Sequence, residues 1–237
     1  MREDRPVGPI IEGWQAPPLP EGPVLEGRYA ALEPMRADSH AALIYREMQG
    51  HDWLWDYISF GPFASASQYH RWMRGAEGQP DPHFLAIRDK DRGIWGGVAA
   101  FMRIKPAMGV VEVGSITFAP ALQGARAATE AMALMMGWVF DAGYRRYEWK
   151  CDALNRPSRR AAQRLGFSYE GTFRQHMVIK GRNRDTAWFA VTDQEWPALK
   201  EAFSVWLNPS NFDAEGQQRE RLSDLTRLVR LVDDPTL

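Results

Sequence analysis

The chain has 237 residues, 45% hydrophobic and 12% aromatic, which is enough apolar material for a substantial core and excludes disorder throughout. Its 29 basic and 30 acidic residues leave a formal net charge of −1, so there is no overall electrostatic drive toward nucleic acid. A lone cysteine precludes an internal disulfide, no apolar run reaches the ~20 residues that span a bilayer, and the first residues lack the apolar stretch of a secretory signal; the expectation is a soluble cytoplasmic protein with neither membrane nor nucleic-acid partner.

Residues 1–25 carry prolines at positions 6, 9, 17, 18, 20 and 23 and are expected as an extended arm over the body. Trp14 within it reads either as a peg into the core or as part of a loose arm. A first strand is predicted over 28–35, ended by Pro34. Asp38 or Ser39 is placed to cap a helix running through Ala41, Ile44 and Met48 to Gly50. Residues 51–60 (HDWLWDYISF) are dense in aromatics, and Ser65 or Ser67 then opens a second helix through Tyr69, Trp72 and Met73 to Gly75. Residues 83–88 and 94–103 read as a hairpin around the polar turn 89–93, with Gly96 and Gly97 marking a bulge or a close approach.

Residues 110–118 (VVEVGSITF) are apolar and β-branched, as a largely buried central strand requires, and Pro120 ends the ladder. Residues 123–128 (QGARAA) then turn the chain into a helix reaching Phe140, apolar on nearly every face and so expected to be buried. A strand feeding a small-residue turn at a helix N-terminus leaves backbone N–H groups unpaired and backed by the helix dipole, which makes an anion site suited to phosphate. Neither the Walker pattern nor the dinucleotide fingerprint is present. Next come a strand over 146–151, a helix over 158–165 with Gly166 as its cap, and strands 169–179 and 187–192 across the turn 180–185. Asp193 is placed to cap a helix over 194–207. Beyond Asn208-Pro209, residues 216–232 set Leu222, Leu225, Leu228 and Val229 at helical spacing, an amphipathic helix able to cover the domain or a second copy of the chain in a homodimer.

Gln123 and Ala128 fit the pattern Q/R-x-x-G-x-G/A, with Arg126 standing where glycine is usual. Asn155-Arg156-Pro157-Ser158 followed by Leu165-Gly166-Phe167 and Glu170-Gly171 gives a second pattern, N-x-x-S…LGF…EG, after a strand. In this order the two resemble motifs A and B of the GNAT N-acetyltransferases. Arg174, Arg184-Asp185 and the segment 188–191 resemble the closing hairpin of the RimJ/RimL-like branch that acetylates ribosomal-protein N-termini. The resemblance covers roughly residues 26–207, leaving 1–25 as the arm and 208–237 as a C-terminal linker and helix. It implies an α/β GNAT fold: a mixed, mostly antiparallel sheet of six to seven strands flanked by helices, with a V-shaped splay between the central strands.

The resemblance further implies direct attack of a primary amine on the thioester of acetyl-CoA, with no covalent enzyme intermediate. Pyrophosphate would sit on the amides of Gln123, Gly124, Ala125, Arg126, Ala127 and Ala128, and pantetheine would run along Ile116, Thr117 and Phe118. Arg126 must then point away or reach a phosphate itself. Trp53, Trp55 and Tyr57 fall where the family lines its acceptor groove, although each could equally pack the helices on the sheet. Glu112, on the central strand, is the candidate base, since a buried carboxylate in an apolar strand is suited to take up a proton; a salt-bridged carboxylate is the other reading, with Glu148 and Asp152 in reserve. Where many members carry a catalytic tyrosine this chain has Ala162, so Ser158 becomes the candidate acid, unless it is only a helix cap. Asn155 is expected either to hydrogen-bond pantetheine or to order the turn. Arg156, Arg159 and Arg160 either meet CoA phosphates or form a solvated face, and Cys151 is expected as a small core residue. The five histidines show no metal-ligand spacing, so no metal is expected. The acceptor is expected to be a protein or peptide N-terminus, an amino acid or a small amine. The alternative is a non-catalytic acyl-CoA-binding protein, for which Arg126 and the missing tyrosine speak.

Overall fold

Alternation of side chains along the strands gives each face of one sheet its own helical cover. The computed structural model describes residues 5–237, so residues 1–4 of the expected arm lie outside the described residues. Among the described residues, eight strands form one sheet in the order β1-β2-β3-β4-β5-β6-β8-β7. They are β1 (Leu25–Glu26), β2 (Ala30–Pro34), β3 (His83–Asp89), β4 (Ile94–Lys105), β5 (Val110–Phe118), β6 (Arg146–Asp152), β7 (Ser168–Ile179) and β8 (Arg182–Thr192). The eighth strand, beyond those anticipated, is the two-residue β1, which pairs Leu25 with Leu32 at the sheet edge. β5 and β6 run parallel and the other neighbours antiparallel.

One face carries α1 (Ala37–Met48) and α2 (Ala66–Ala76), packed with Phe84, Ala86, Val98 and Ala100 around the buried Ile44, Tyr69 and Met73. The opposite face packs Leu85, Ile87, Phe101, Val111 and Val113 against α3 (Arg126–Asp141), with α4 (Arg156–Arg164) and α5 (Trp196–Leu207) beside it. The apolar circumference of α3 is thereby absorbed, and its methionines lie in the core. Glu130 on α3 accepts from the backbone amides of Arg28, Tyr29 and Ala30 at 2.9, 2.6 and 2.6 Å, fastening that helix to the start of β2.

Several local expectations are corrected. The N-cap of α1 is Arg36 rather than Asp38 or Ser39, and the free amide of Ala37 is taken by Glu77 from beyond α2 at 2.6 Å. Ser65 does cap α2, accepting from the Gln68 amide. β8 begins at Arg182, well before the expected residue 187, because Lys180 and Gly181 both adopt positive φ and form a two-residue turn. α5 starts at Trp196, since Glu195 turns back to accept from the Thr192 amide and hydroxyl instead of leaving Asp193 to cap. The anticipated helix over 216–232 shrinks to α6 (Leu222–Thr226): Leu222, Leu225 and Val229 meet the core while Leu228 stays exposed. The chain then runs over α4 and β7, with Leu231 N donating to Ser168 Oγ at 2.9 Å and Tyr169 N to the Val232 carbonyl at 3.0 Å. In the arm, Trp14 packs half-buried on Gly109 below the Arg145 guanidinium without entering the core, and the Pro18 carbonyl accepts from Tyr144 Oη at 2.8 Å, so the arm is tied to the body. No helix among the described residues is long and apolar enough to cross a membrane.

Candidate active site

The two central strands part company halfway. The β5–β6 ladder runs from Val110↔Arg146 to Val113↔Trp149 and stops there, although β5 continues to Phe118 and β6 to Asp152. Ser115, at φ +51, turns β5 out of line, while the register of β4 against β5 shifts between Val98 and Ala100. Gly97 makes this bend feasible, because a Cβ there would strike the Thr117 carbonyl and Phe118. The side of residues 114–118 that faces β6 is therefore open as an unpaired strand edge, able to accept an extended ligand as a further strand.

At the far end of that edge lies the N-terminus of α3. Its first helical amides, Arg126 to Ala128, precede the first intrahelical bond, made by Thr129 N to the Ala125 carbonyl. Gly124 sits at φ +73, and a Cβ built on it would meet nothing within 4 Å: this is clear space next to free donors. Gln123 steadies the loop by donating from Nε2 to the Phe118 carbonyl at 2.9 Å. Arg126 turns away from the cradle. Its guanidinium lies 4.5 Å from the Tyr29 ring centroid and 4.7 Å from that of Phe212, and pairs with Asp91 at 2.9 Å. The unusual arginine thus gives its side chain to packing.

A cavity of about 780 Å³ joins these features. It brings together Trp53, Tyr57, Glu112, Ile116, Thr117, Phe118, Gln123, Gly124, Ala128, Asn155 and Ser158 of the residues anticipated from sequence. Ala125, Arg126 and Ala127 do not line it. Trp55 does not either: it is 4% exposed, packed on Phe60, Phe63 and Tyr69, and Gly61 abuts its indole, so the packing reading replaces the acceptor-groove reading for this residue. Tyr57 hangs over the opening with Oη 3.5 Å from the Leu154 carbonyl. The tip of the β7–β8 hairpin closes down here, Lys180 Nζ donating to the carbonyls of Trp55 and Phe60 at 2.8 and 3.2 Å.

Glu112 is 2% exposed, but its surroundings are not apolar as expected. Arg103 Nη1 reaches both carboxylate oxygens at 2.8 and 2.7 Å, and Lys150 Nζ lies 3.0 Å away. Lys150 also pairs with Glu148 at 2.7 Å and sits 3.8 Å above the Trp188 ring, and Arg146 links Glu148 to Glu170. Register forces this arrangement: Glu112 and Glu148 stand directly opposite one another, and like charges there require cations between them. For Glu148, burial alone would raise the carboxyl pKa, but hydrogen bonds from Lys150 and Arg146 outweigh it and hold the value below the ordinary range.

The cap of α4 is Asn155, whose Oδ1 accepts from Ser158 N at 3.1 Å, so Ser158 is not the cap. Ser158 Oγ instead accepts from Trp149 Nε1 at 3.0 Å at the cavity wall. Beside it, burial pushes the Cys151 thiol up to about 11, against a smaller opposing hydrogen bond to Ser158; the thiol stays protonated and fills space. The basic cluster splits three ways. Arg159 is buried in a two-pronged pair with Asp234, Arg156 reaches the Thr236 carbonyl, and Arg160 lines the cavity. Arg164 lines it too, its Nη1 donating to Thr129 Oγ1 at 3.0 Å near the start of α3, with burial lowering its pKa. Arg103, Lys150 and Arg164 are cavity residues that the motifs did not identify, and Arg184 entered only as part of the closing hairpin; the one signal available was a lysine set between apolar neighbours in RYEWKC. No group of three or more potential metal ligands occurs among the described residues.

A family profile for the acetyltransferase (GNAT) domain matches residues 31–168. A GCN5-related N-acetyltransferase from Brucella melitensis superposes with a TM-score of 0.89 at 47% identity, covering 92% of this chain and 100% of that one. A probable acetyltransferase of the GNAT family from Chromobacterium violaceum gives 0.77 at 36% identity, over 84% of this chain and 100% of its own. RimL, a ribosomal L7/L12 alpha-N-protein acetyltransferase, shares the fold with a TM-score of 0.62 at 19% identity, over 72% of this chain and 94% of its own. No curated protein matches the chain.

Proposed function

The chain belongs to the GNAT acetyltransferase family and is an acetyl-CoA-dependent acyltransferase, and we propose that it moves the acetyl group to a primary amine by direct attack on the thioester. The observation that carries this reading is the parting of β5 from β6 beside the free N-terminus of α3, the two halves of one cavity. The residues present fit acetyl-CoA. The clear space at Gly124 and the free amides of Arg126 to Ala128 would take the pyrophosphate, with Arg160 and Arg164 supplying positive charge. The open edge at Ile116, Thr117 and Phe118 would pair with pantetheine. The acceptor would enter from the side of Trp53 and Tyr57.

As the amine attacks, it must lose a proton, and the departing sulfur must gain one. The first role falls to water at the cavity. Arg103 holds both oxygens of the Glu112 carboxylate and Lys150 lies 3.0 Å away, which makes Glu112 the salt-bridged carboxylate that fixes those cations rather than a free base. The second role we assign to Ser158, whose oxygen Trp149 fixes at the cavity wall. A backbone N–H on the open edge of β5 can face the developing oxyanion, an interaction worth about 3 kcal/mol in other enzymes. The non-catalytic alternative loses one support, because Arg126 leaves the cradle clear. We keep the acceptor as a primary amine, with residues 26–207 as the catalytic body and the cytoplasm as its setting.

The test is calorimetric titration with acetyl-CoA, followed by CoA release on a panel of amines. Gly124→Glu should abolish acetyl-CoA binding by putting a carboxylate in the cradle. Gly124→Ala carries the same positive-φ strain, about 1–2 kcal/mol, and should bind measurably. Equal loss in both variants would mean that backbone conformation, not the phosphate cradle, governs the site.

A further inference from the structure

The cations around the acceptor half of the cavity are not alike. Arg103 and Lys150 are both neutralised by Glu112, and Lys150 also by Glu148. Arg184, half-buried on β8, lines the same cavity, yet among the described residues no carboxylate lies within ion-pairing distance of it. Its guanidinium is nevertheless oriented. Nε donates to Thr186 Oγ1 at 3.2 Å, and that hydroxyl, on a residue 1% exposed, is also 3.0 Å from His176 Nδ1. Tying down Nε leaves the two terminal nitrogens free, a fork whose geometry matches the two oxygens of a carboxylate.

The setting narrows what such a fork can meet. Arg184 stands opposite Met177 in the β7–β8 ladder, and Met177, Ile179, Trp53 and Tyr57 make the nearby walls apolar. Half-buried and outside ion-pairing distance of any carboxylate among the described residues, the guanidinium keeps its charge and its two terminal nitrogens available to a ligand that brings a carboxylate. Asp56 and Asp152 line the same cavity, so it presents both signs of charge, as suits a ligand that carries both.

Building on the acetyltransferase reading, we propose that Arg184 binds a carboxylate of the acceptor itself. The acceptor is then a small molecule of the amino acid type, with its amine and carboxylate a few bonds apart. A protein N-terminus offers no such carboxylate at its first residue unless the side chain supplies one.

The experiment compares CoA release from free L-amino acids, from the carboxamides of the same amino acids, from aminoalkyl phosphates and from short peptides, using the full chain and the variants Arg184→Gln and Arg184→Lys. The expected result is a KM at least about tenfold lower for one or more free amino acids than for their carboxamides. Arg184→Gln should erase that difference by raising the KM of the acid alone, leaving kcat, the carboxamide KM and the calorimetric affinity for acetyl-CoA in place. Arg184→Lys, which keeps the charge without the fork, should restore part of it. Equal use of acid and carboxamide by the native chain overturns the proposal, as does an Arg184→Gln variant that loses both alike. Preferred turnover of peptides or of aminoalkyl phosphates overturns it too, and reassigns the site. Failure to bind acetyl-CoA, or binding with no release on any amine, removes the acetyltransferase reading beneath it and is distinguished by the titration alone.

Discussion

Ser158 and Asn155 divide between them two jobs that one residue might have held. Because Asn155 caps α4, the Ser158 hydroxyl is not needed for the helix. Ser158→Ala should therefore lower kcat by about 10²-fold, the contribution typical of a general acid, with the melting temperature and the acetyl-CoA affinity nearly unchanged. Asn155→Ala should do the reverse in stability, costing about 1 kcal/mol of the fold. Thermal melting and single-turnover rates on both variants check the pair, and a wild-type rate in Ser158→Ala would return proton donation to solvent. Arg126 offers a second contrast. Its stacking on Tyr29 and Phe212 and its pair with Asp91 are worth about 1–2 kcal/mol together, so Arg126→Ala should melt earlier yet bind acetyl-CoA as before. A salt-sensitive loss of affinity would place the side chain on a phosphate after all.

At the level of elements, the parallel pair β5–β6 carries the charge ladder from Arg103 to Glu170 across the floor of the site. Glu148 is its central anion, and its carboxyl is held below the ordinary value of 4.5, since the hydrogen bonds of Lys150 and Arg146 outweigh burial. A folded-state pKa below the unfolded one contributes stability that is complete above the unfolded value and is lost as pH falls through the folded one. Glu148→Gln should accordingly be less stable than the native chain at pH 7, with the gap closing as pH drops below about 4.5. Urea denaturation across that range measures it; a gap independent of pH would show that the carboxylate contributes packing alone.

On the scale of the whole molecule, the last residues act back on the site. Asp234 is buried against Arg159 of α4, and its amide donates to Gln163 Oε1 at 2.8 Å. Breaking a buried pair from one side typically costs about 3–5 kcal/mol, because the remaining charge is left without a partner. We expect Asp234→Ala to raise the KM for acetyl-CoA as well as lower the melting temperature, since α4 carries Asn155, Ser158, Arg160 and Arg164. An unchanged KM alongside a lower melting temperature would confine the tail to stability.

The sequence by itself determined the order of strands and helices, the central strand and the small-residue turn at the start of α3. These depend on local periodicity and on residues with special backbone freedom, which neighbours in the chain specify. The open continuation of the central strand was implied only by the family resemblance and is made by the turn at Ser115. The sequence also placed part of the cavity lining, the motif residues Gln123, Gly124, Ala128, Asn155 and Ser158, which sit at helix starts set by local signals. Only the tertiary structure decided which of Trp53, Trp55 and Tyr57 face the cavity, since the short 3₁₀ segment Asp52–Trp55 turns Trp55 into the core and leaves Trp53, with Tyr57 beyond it, at the cavity. It alone decided the partners of Glu112, Arg126, Arg159 and Glu130, which lie 9 to 102 residues away in the chain. It also stopped the C-terminal helix at Thr226, where the Thr226 hydroxyl bonds the Arg164 carbonyl and the following backbone finds partners on β7. Ion pairing and burial depend on distance in space, and spacing along a chain records that distance only within a helix turn or between paired strands.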